Sequence, residues 1–194
     1  MTAHVEVKGL RVTARNAAGE TFPIVSDIDF VLKQGEVLAL IGESGSGKTT
    51  IALTLLGHAR PGAKIAGGSI RVGGNEILSL DAKGLAALRG NRIAYIAQSA
   101  ASAFNPSRTI MDQVIEPALI HNLMPRAAAE KKAVELFRAL ALPFADTIGS
   151  RYPHQLSGGQ LQRLMAAMAL ITDPGLVILG EPTAAPDVTT QIAV

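Results

Sequence analysis

The sequence predicts an α/β domain with a largely parallel sheet, a strand-rich N-terminal region and a helical insertion. Three observations carry this. Short apolar runs of strand length at residues 37–41, 92–97 and 176–179 are separated by segments of helical character, the alternation that lays helices against a parallel sheet. The run Gly42-Glu43-Ser44-Gly45-Ser46-Gly47-Lys48-Thr49 follows the first apolar run and matches G-x-x-x-x-G-K-[ST], a loop that requires a strand before it and a helix after it. Residues 109–142 and 159–172 repeat apolar side chains at helical spacing.

Taken in order, residues 4–13 partly alternate and residues 22–32 are rich in β-formers, so both read as strands. Gln34-Gly35-Glu36 is a turn, and residues 37–41 read as a buried strand leading into the glycine-rich loop. Its three glycines let the backbone turn N–H groups inward around phosphate oxygens. The helix beginning there offers its positive end to the same anion. Lys48 is the residue to reach the β- and γ-phosphates, and the Thr49 hydroxyl is a ligand for Mg²⁺. Pro61-Gly62 and Gly67-Gly68 punctuate a further short strand at 69–72, and 81–89 reads as a helix. Residues 92–97 read as a buried strand ending at Gln98, followed by a loop of small and polar residues to 106.

The stretch 109–142 turns helical, with Ala133, Leu136, Phe137, Leu140 and Ala141 in one stripe. After a loop at 152–159, a second helix carries Leu161, Leu164, Met165 and Met168 on one face and stops before Pro174. The two methionines read as core, not as ligands. Residues 176–179 form a short buried strand, and no internal repeat is present.

Composition narrows the function classes. The chain has 194 residues with 48% hydrophobic content and mean hydropathy +0.28, enough for a sizeable core and against disorder. With net charge +2 and 4% aromatics, neither a basic patch nor a stacking platform points to nucleic acid. The absence of cysteine excludes disulfides and thiolate metal sites and fits a reducing compartment. No N-terminal segment reads as a signal peptide. The most apolar stretch, 164–179, is interrupted by Asp173-Pro174 and does not read as a membrane span.

A second motif, Leu156-Ser157-Gly158-Gly159-Gln160, opens the later helix. Ser157 suits an N-cap, and the glycines expose backbone N–H groups, so this start is a second candidate anion site. With these motifs the chain resembles the ATP-binding subunit of ABC transporters along essentially its whole length. Residues 42–49 match Walker A, Gln98 the Q-loop glutamine and residues 156–160 the signature. Glu181-Pro182-Thr183 matches the end of Walker B, and Asp187 the D-loop aspartate. Ser102-Ala103-Phe104-Asn105-Pro106 and Arg151-Tyr152-Pro153-His154-Gln155 look like the peptide/nickel importer subgroup of oligopeptide and dipeptide type.

The resemblance implies a P-loop NTPase core of RecA-like type, with an N-terminal antiparallel β region and a helical subdomain insertion. It divides the chain into a β region and Walker A core (1–98), a Q-loop and helical subdomain (99–156), and a segment with signature helix, Walker B strand and D-loop (157–194). It implies ATP and Mg²⁺ as cofactors. Two nucleotide domains, identical or related, close head to tail, and each ATP lies between Walker A of one and the signature of the other. The implied nucleotide contacts are Gly42, Glu43, Ser44, Gly45, Ser46, Gly47, Lys48, Thr49 and Thr50 with Ser157, Gly158, Gly159 and Gln160. The implied catalytic residues are Glu181 as general base, Lys48 and Gln98, and the metal ligands are Thr49 and Gln98. The loop 98–106 passes the motion to membrane permease subunits, at the cytoplasmic face of the membrane and peripheral to it. The alternatives are a soluble ABC-type ATPase of a non-transport complex and an inactive nucleotide-binding pseudo-subunit.

Four features depart from the family pattern. Gly180 stands where Walker B has aspartate, which implies weaker Mg²⁺ dependence and lower turnover, raised by Gly180→Asp. The sequence runs to Val194, short of a further core strand and switch histidine, so truncation and poor stability alone are expected. The adenine-stacking aromatic near position 14 is replaced by Ala14, with Phe22 and Val25 reading as core rather than as substitutes. Pro186 precedes Asp187 where leucine is common.

Overall fold

A computed structural model describes residues 3–100 and 102–180. The chain divides into two compact units, Met1–Arg89 and Gly90–Val194.

In the first unit, β1 (Ala3–Arg15), β2 (Thr21–Lys33), β3 (Ala63–Val72) and β4 (Asn75–Glu76) form an antiparallel sheet in the order β2-β1-β3-β4. The inward residues of β1 are Val5, Val7, Leu10 and Val12, each at most 1% exposed. Their spacing changes from two to three between Val7 and Leu10, where the register with both neighbours shifts. This bulge keeps both halves of the strand facing the same core, which a regular pleat would not. Asp29 Oδ1 accepts the Gly9 N–H there at 2.6 Å. Opposite, Gly68 has φ +98°, and a β-carbon on it would stand 2.6 Å from the Gly9 carbonyl oxygen. Gly67-Gly68 therefore lie within β3, at the bulge, and the strand predicted from residue 69 begins at Ala63.

The helices of this unit are α1 (Lys48–Thr54) and α2 (Ala82–Leu88), the latter capped by Asp81, whose Oδ1 accepts the Gly84 N–H at 2.7 Å. The buried strand expected at 37–41 is not formed. Residues 36–43 are irregular, and Val37 and Ile41 are 95% and 94% exposed. Among the described residues no strand pairs with this run. Apolar, β-prone residues become a strand only when a neighbour supplies the ladder partners for their N–H and C=O groups.

The second unit holds β5 (Ile93–Ile96) and β6 (Leu176–Leu179), parallel with Ile93 opposite Leu176. It also holds α3 (Ile110–Val114), α4 (Glu116–Ile120), α5 (Arg126–Ala139) and α6 (Gly158–Leu170). The stretch expected as one helical block is thus three helices. It breaks where Pro117 enters the first turn of α4 and again at Asn122 (φ +52°) and Pro125. The predicted stripe holds in part: Ala133 and Phe137 are fully buried with Ala129, Leu136 and Leu140 pack at the margin, and Ala141 has left the helix with φ +51°. In α6, Leu161, Leu164 and Met165 are buried and Met168 packs on the same cluster, so both methionines are core.

Candidate functional site

The glycine-rich loop closes on the first unit's own framework. Gly47, buried, has φ +90°, and a β-carbon there would meet the Ile24 carbonyl oxygen and Val25 Cγ2, both at 3.2 Å. Glycine lets the loop press onto β2 before the chain enters α1. Lys48 Nζ donates to the Gly42 and Glu43 carbonyls at 2.8 and 2.6 Å and to Ser46 Oγ at 3.3 Å. The ammonium therefore sits inside the curl of the loop, held by the backbone of the residues expected to surround phosphate. Ser44 and Gly45 form the exposed outer part of the loop, and Thr49 and Thr50 occupy the second and third positions of α1. The helix is anchored by Ile51, Leu55 and Thr54, whose hydroxyl donates to the Ile51 carbonyl at 2.7 Å.

At the far end of β1, Ala14 lies opposite Phe22 of β2 and lines a shallow cleft with Thr13, Arg15, Thr21 and Lys64. Val25 is core, 5% exposed, as expected; Phe22 is 46% exposed and is not.

In the second unit, Ser157 is the N-cap of α6. Its Oγ accepts the Gln160 N–H at 3.3 Å, and Gln160 Oε1 accepts the Ser157 N–H at 2.9 Å. This capping box fixes the helix start. Gly158 and Gly159 are exposed, and a β-carbon on either would meet nothing within 4 Å. One turn earlier, Gln155 Oε1 accepts the Tyr152 N–H at 2.8 Å, and the Tyr152 and His154 rings stack at 5.8 Å. Arg163 Nη1 donates to the Ala141 carbonyl at 2.8 Å, tying α6 to the turn after α5.

Gln98 is exposed, two residues beyond β5, at the head of the loop to 106. Sequence reasoning missed how that loop is held. Gln113, 5% exposed, accepts the Asn105 N–H on Oε1 at 2.7 Å. Its Nε2 donates to the carbonyls of Asn105, Arg108 and Thr109 at 3.1 to 3.2 Å. The one signal was a glutamine among the apolar positions of a helical stretch. Around it, Arg108 pairs with Glu116, and Arg126 with Asp112 and Glu130. The hydrogen bond from Arg126, then that from Thr109, holds the Asp112 carboxyl below the usual carboxylate range, and Asp112 in turn raises Arg126.

Of the candidate residues, Gly42 to Thr50 thus lie on one unit, and Gln98 and Ser157 to Gln160 on the other. Gly180 follows β6, and Glu181, Pro186 and Asp187 lie outside the described residues.

The comparisons agree with this architecture. The family model described as ABC transporter matches residues 25–184, and the chain belongs to that family. It is 37% identical over 187 residues to the oligopeptide transport ATP-binding protein OppD of Lactococcus lactis subsp. cremoris, covering 96% of this chain and 55% of that protein. It is 40% identical to the oligopeptide transport ATP-binding protein AppD of Bacillus subtilis, covering 90% and 54%. The chain thus spans about half the length of these relatives. Among solved structures it resembles a dimeric ATP-binding cassette in a post-hydrolysis state bound to ADP and Pi. That match has a TM-score of 0.82 and 26% identity over 96% of this chain and 77% of that one.

Proposed function

We propose that this chain is the ATP-binding, ATP-hydrolysing subunit of a peptide importer, working as a pair of nucleotide domains that ATP draws together. The observation that carries the reading is Lys48, held inside its loop by two carbonyls and a hydroxyl. There an ammonium and the surrounding backbone N–H groups meet the β- and γ-phosphates without rearranging the helix behind them. The capped, open start of α6 supports a second contact, made through Ser157 and Gly159 to nucleotide held by the other domain. Similarity to peptide transport ATP-binding proteins supports the substrate class and the permease partners, and an ATP-binding cassette solved as a dimer supports the pairing.

Mg²⁺ is assigned as the second cofactor, with the Thr49 hydroxyl of the first unit and the Gln98 amide oxygen of the second as its protein donors. An ion that accompanies nucleotide is held largely by phosphates and water. When bound, Mg²⁺ neutralises charge on the phosphoryl group being transferred. Glu181 is assigned to orienting the attacking water, and the loop after Gln98 to transmitting closure to the permease.

Calorimetry of Mg-ATP binding to the chain tests the reading, with Lys48→Ala as the comparison. Loss of the charge-assisted bonds is expected to weaken affinity about 10–100-fold. Equal affinity in both proteins, or none in either, overturns it. A second reading, nucleotide binding without turnover, is favoured by Gly180, which brings no carboxylate to the end of β6. Phosphate release measured on the same protein separates the two.

A further inference from the structure

The far end of β1 carries charges that the proposed nucleotide contacts do not use. Val12 points into the core, 0% exposed, and side chains alternate along a strand. Thr13 and Arg15 therefore face the other side of β1. Thr13 is opposite Lys64 on β3, and Arg15 is opposite Thr21 on β2. Directly opposed residues share a face, so these four side chains stand together on it. With Gly62 and Ala66 they line one cleft of about 460 Å³, within the range of small-ligand sites, about 300–1,000 Å³. The Arg15 N–H donates to the Gly62 carbonyl at 3.1 Å. A β-carbon on Gly62 would meet nothing within 4 Å, so the space beside Arg15 is open. Arg15 and Lys64 are diagonal neighbours across β1 and β3, a relation that sets residues about 7–8 Å apart. No acidic residue lines the cleft. Elsewhere on β1 the cations are paired, Lys8 with Glu6 at 2.6 Å and Arg11 with Asp27 at 3.9 Å. Glu20, in the adjoining turn, accepts from Asn16 Nδ2 at 2.8 Å. Among the described residues neither Arg15 nor Lys64 forms an ion pair.

We propose that this cleft binds a phosphate monoester, held as a dianion between Arg15 and Lys64, with the Thr13 and Thr21 hydroxyls donating to its oxygens. The two cations repel each other while the cleft is empty, and two negative charges match them. A guanidinium presents paired N–H donors to phosphate oxygens, and an ammonium acts beside it as a point charge. A single carboxylate would leave one cation uncompensated. The cleft has room for the carrier of the phosphate as well as the phosphate itself. It shares no residue with the loop at 42–49. Its four polar side chains lie on the face of the sheet opposite to Val12 and to Val25, Val12's partner, against which Gly47 packs. The terminal phosphate belongs either to a small soluble molecule or to the headgroup of an anionic lipid, which present the same group.

The test is titration of the full chain with glycerol phosphate at constant ionic strength, followed by backbone amide NMR shifts. It compares wild type, Arg15→Gln, Lys64→Gln, the double variant Arg15→Gln/Lys64→Gln, and Lys48→Ala, with thermal unfolding of each. Amides at 13–15, 21 and 62–64 are expected to shift saturably in wild type and equally in Lys48→Ala, which keeps this response apart from any at the phosphate loop. Each neutralised cation is expected to weaken the apparent affinity about 2–5-fold, the scale of a solvent-exposed charge pair. The double variant is expected to lose saturation without a lowered melting temperature. Sedimentation with vesicles of phosphatidylcholine, with and without phosphatidic acid, separates the two sources. Binding that needs phosphatidic acid and is lost in the double variant assigns the phosphate to a lipid. Saturation by glycerol phosphate without vesicle binding assigns it to a soluble molecule. Shifts that fail to saturate, that chloride reproduces, or that survive in the double variant overturn the proposal, and so does vesicle binding that the double variant retains.

Discussion

The loop at 42–49 and the helix start at 157–160 are both read as phosphate-facing elements, yet they rest on different foundations. Behind the signature lies a cluster of helices whose central side chains, Phe137, Leu164 and Ile110 among them, are fully buried. The start of α6 is fixed by a reciprocal capping box, and the loop from 105 to 109 is fastened by the four hydrogen bonds of Gln113. Behind the phosphate loop lies the run 36–43, which has no strand assignment and exposes Val37 and Ile41 almost completely. The glycines and Lys48 nevertheless take up a closed loop, because Gly47 packs on β2 and Lys48 bonds to carbonyls five and six residues away. Helical elements complete their hydrogen bonding from within and need only burial of one face. A parallel strand needs a neighbouring chain segment to supply the partners of its backbone.

The sharpest test of this contrast is Phe137→Ala. Emptying a fully buried aromatic site is expected to cost about 3–5 kcal/mol and to abolish amide protection in α5 and α6 by hydrogen exchange, with β1–β3 amides unaffected. Protection that survives in α5 and α6 breaks the claim that this cluster is the foundation of the signature. Next in size, Gln113→Leu removes the acceptor of the Asn105 N–H and one donor to each of the Asn105, Arg108 and Thr109 carbonyls. Losing a hydrogen bond of this kind costs about 0.5–1.5 kcal/mol. Equilibrium unfolding should register the loss, and amides at 105–109 should exchange faster.

A smaller effect is expected from pH. The Asp112 pKa is lowered in the folded state, chiefly by the Arg126 hydrogen bond and then by Thr109. Its contribution is therefore complete above the ordinary carboxylate range and disappears as pH falls through the lowered value. Stability measured from pH 7 down to about 2.5 should show wild type and Asp112→Asn converging below about pH 4. Curves that stay parallel to the acid end remove Asp112 from the account. The smallest effect belongs to Ile41→Thr. A 94% exposed side chain outside any special contact is worth within about ±0.5 kcal/mol. A cost above about 1 kcal/mol, measured by denaturant unfolding, would show that this run is buried in solution and that the two foundations are alike.

Much was legible in the residues. The strands β1 and β2, the helix α6 and its core methionines follow from alternation and helical spacing, and the Ser157 cap from residue type at a helix start. The division of 109–142 into three helices was less legible, although Pro117 and Pro125 mark the breaks in retrospect. Gly67-Gly68 read as the boundary of a strand and proved to be its bulge. Glycine signals a backbone that L-residues avoid, without saying whether the strand stops or bends there. Gln113 was invisible, since its part depends on which carbonyls stand opposite.

The sequence by itself determined the local chemistry of this protein: a glycine-rich loop ending in Lys48 and Thr49, a serine-capped helix start, and membership of a family whose motifs are short and contiguous. Such features are set by residues within a few positions of one another, where backbone preference and side-chain reach decide the outcome. Only the tertiary structure decided that residues 37–41 lie exposed and that Phe22 is outside the core. Each of these depends on partners distant in sequence. Burial and hydrogen-bond satisfaction belong to the neighbour that arrives, and no periodicity in the run itself can supply it.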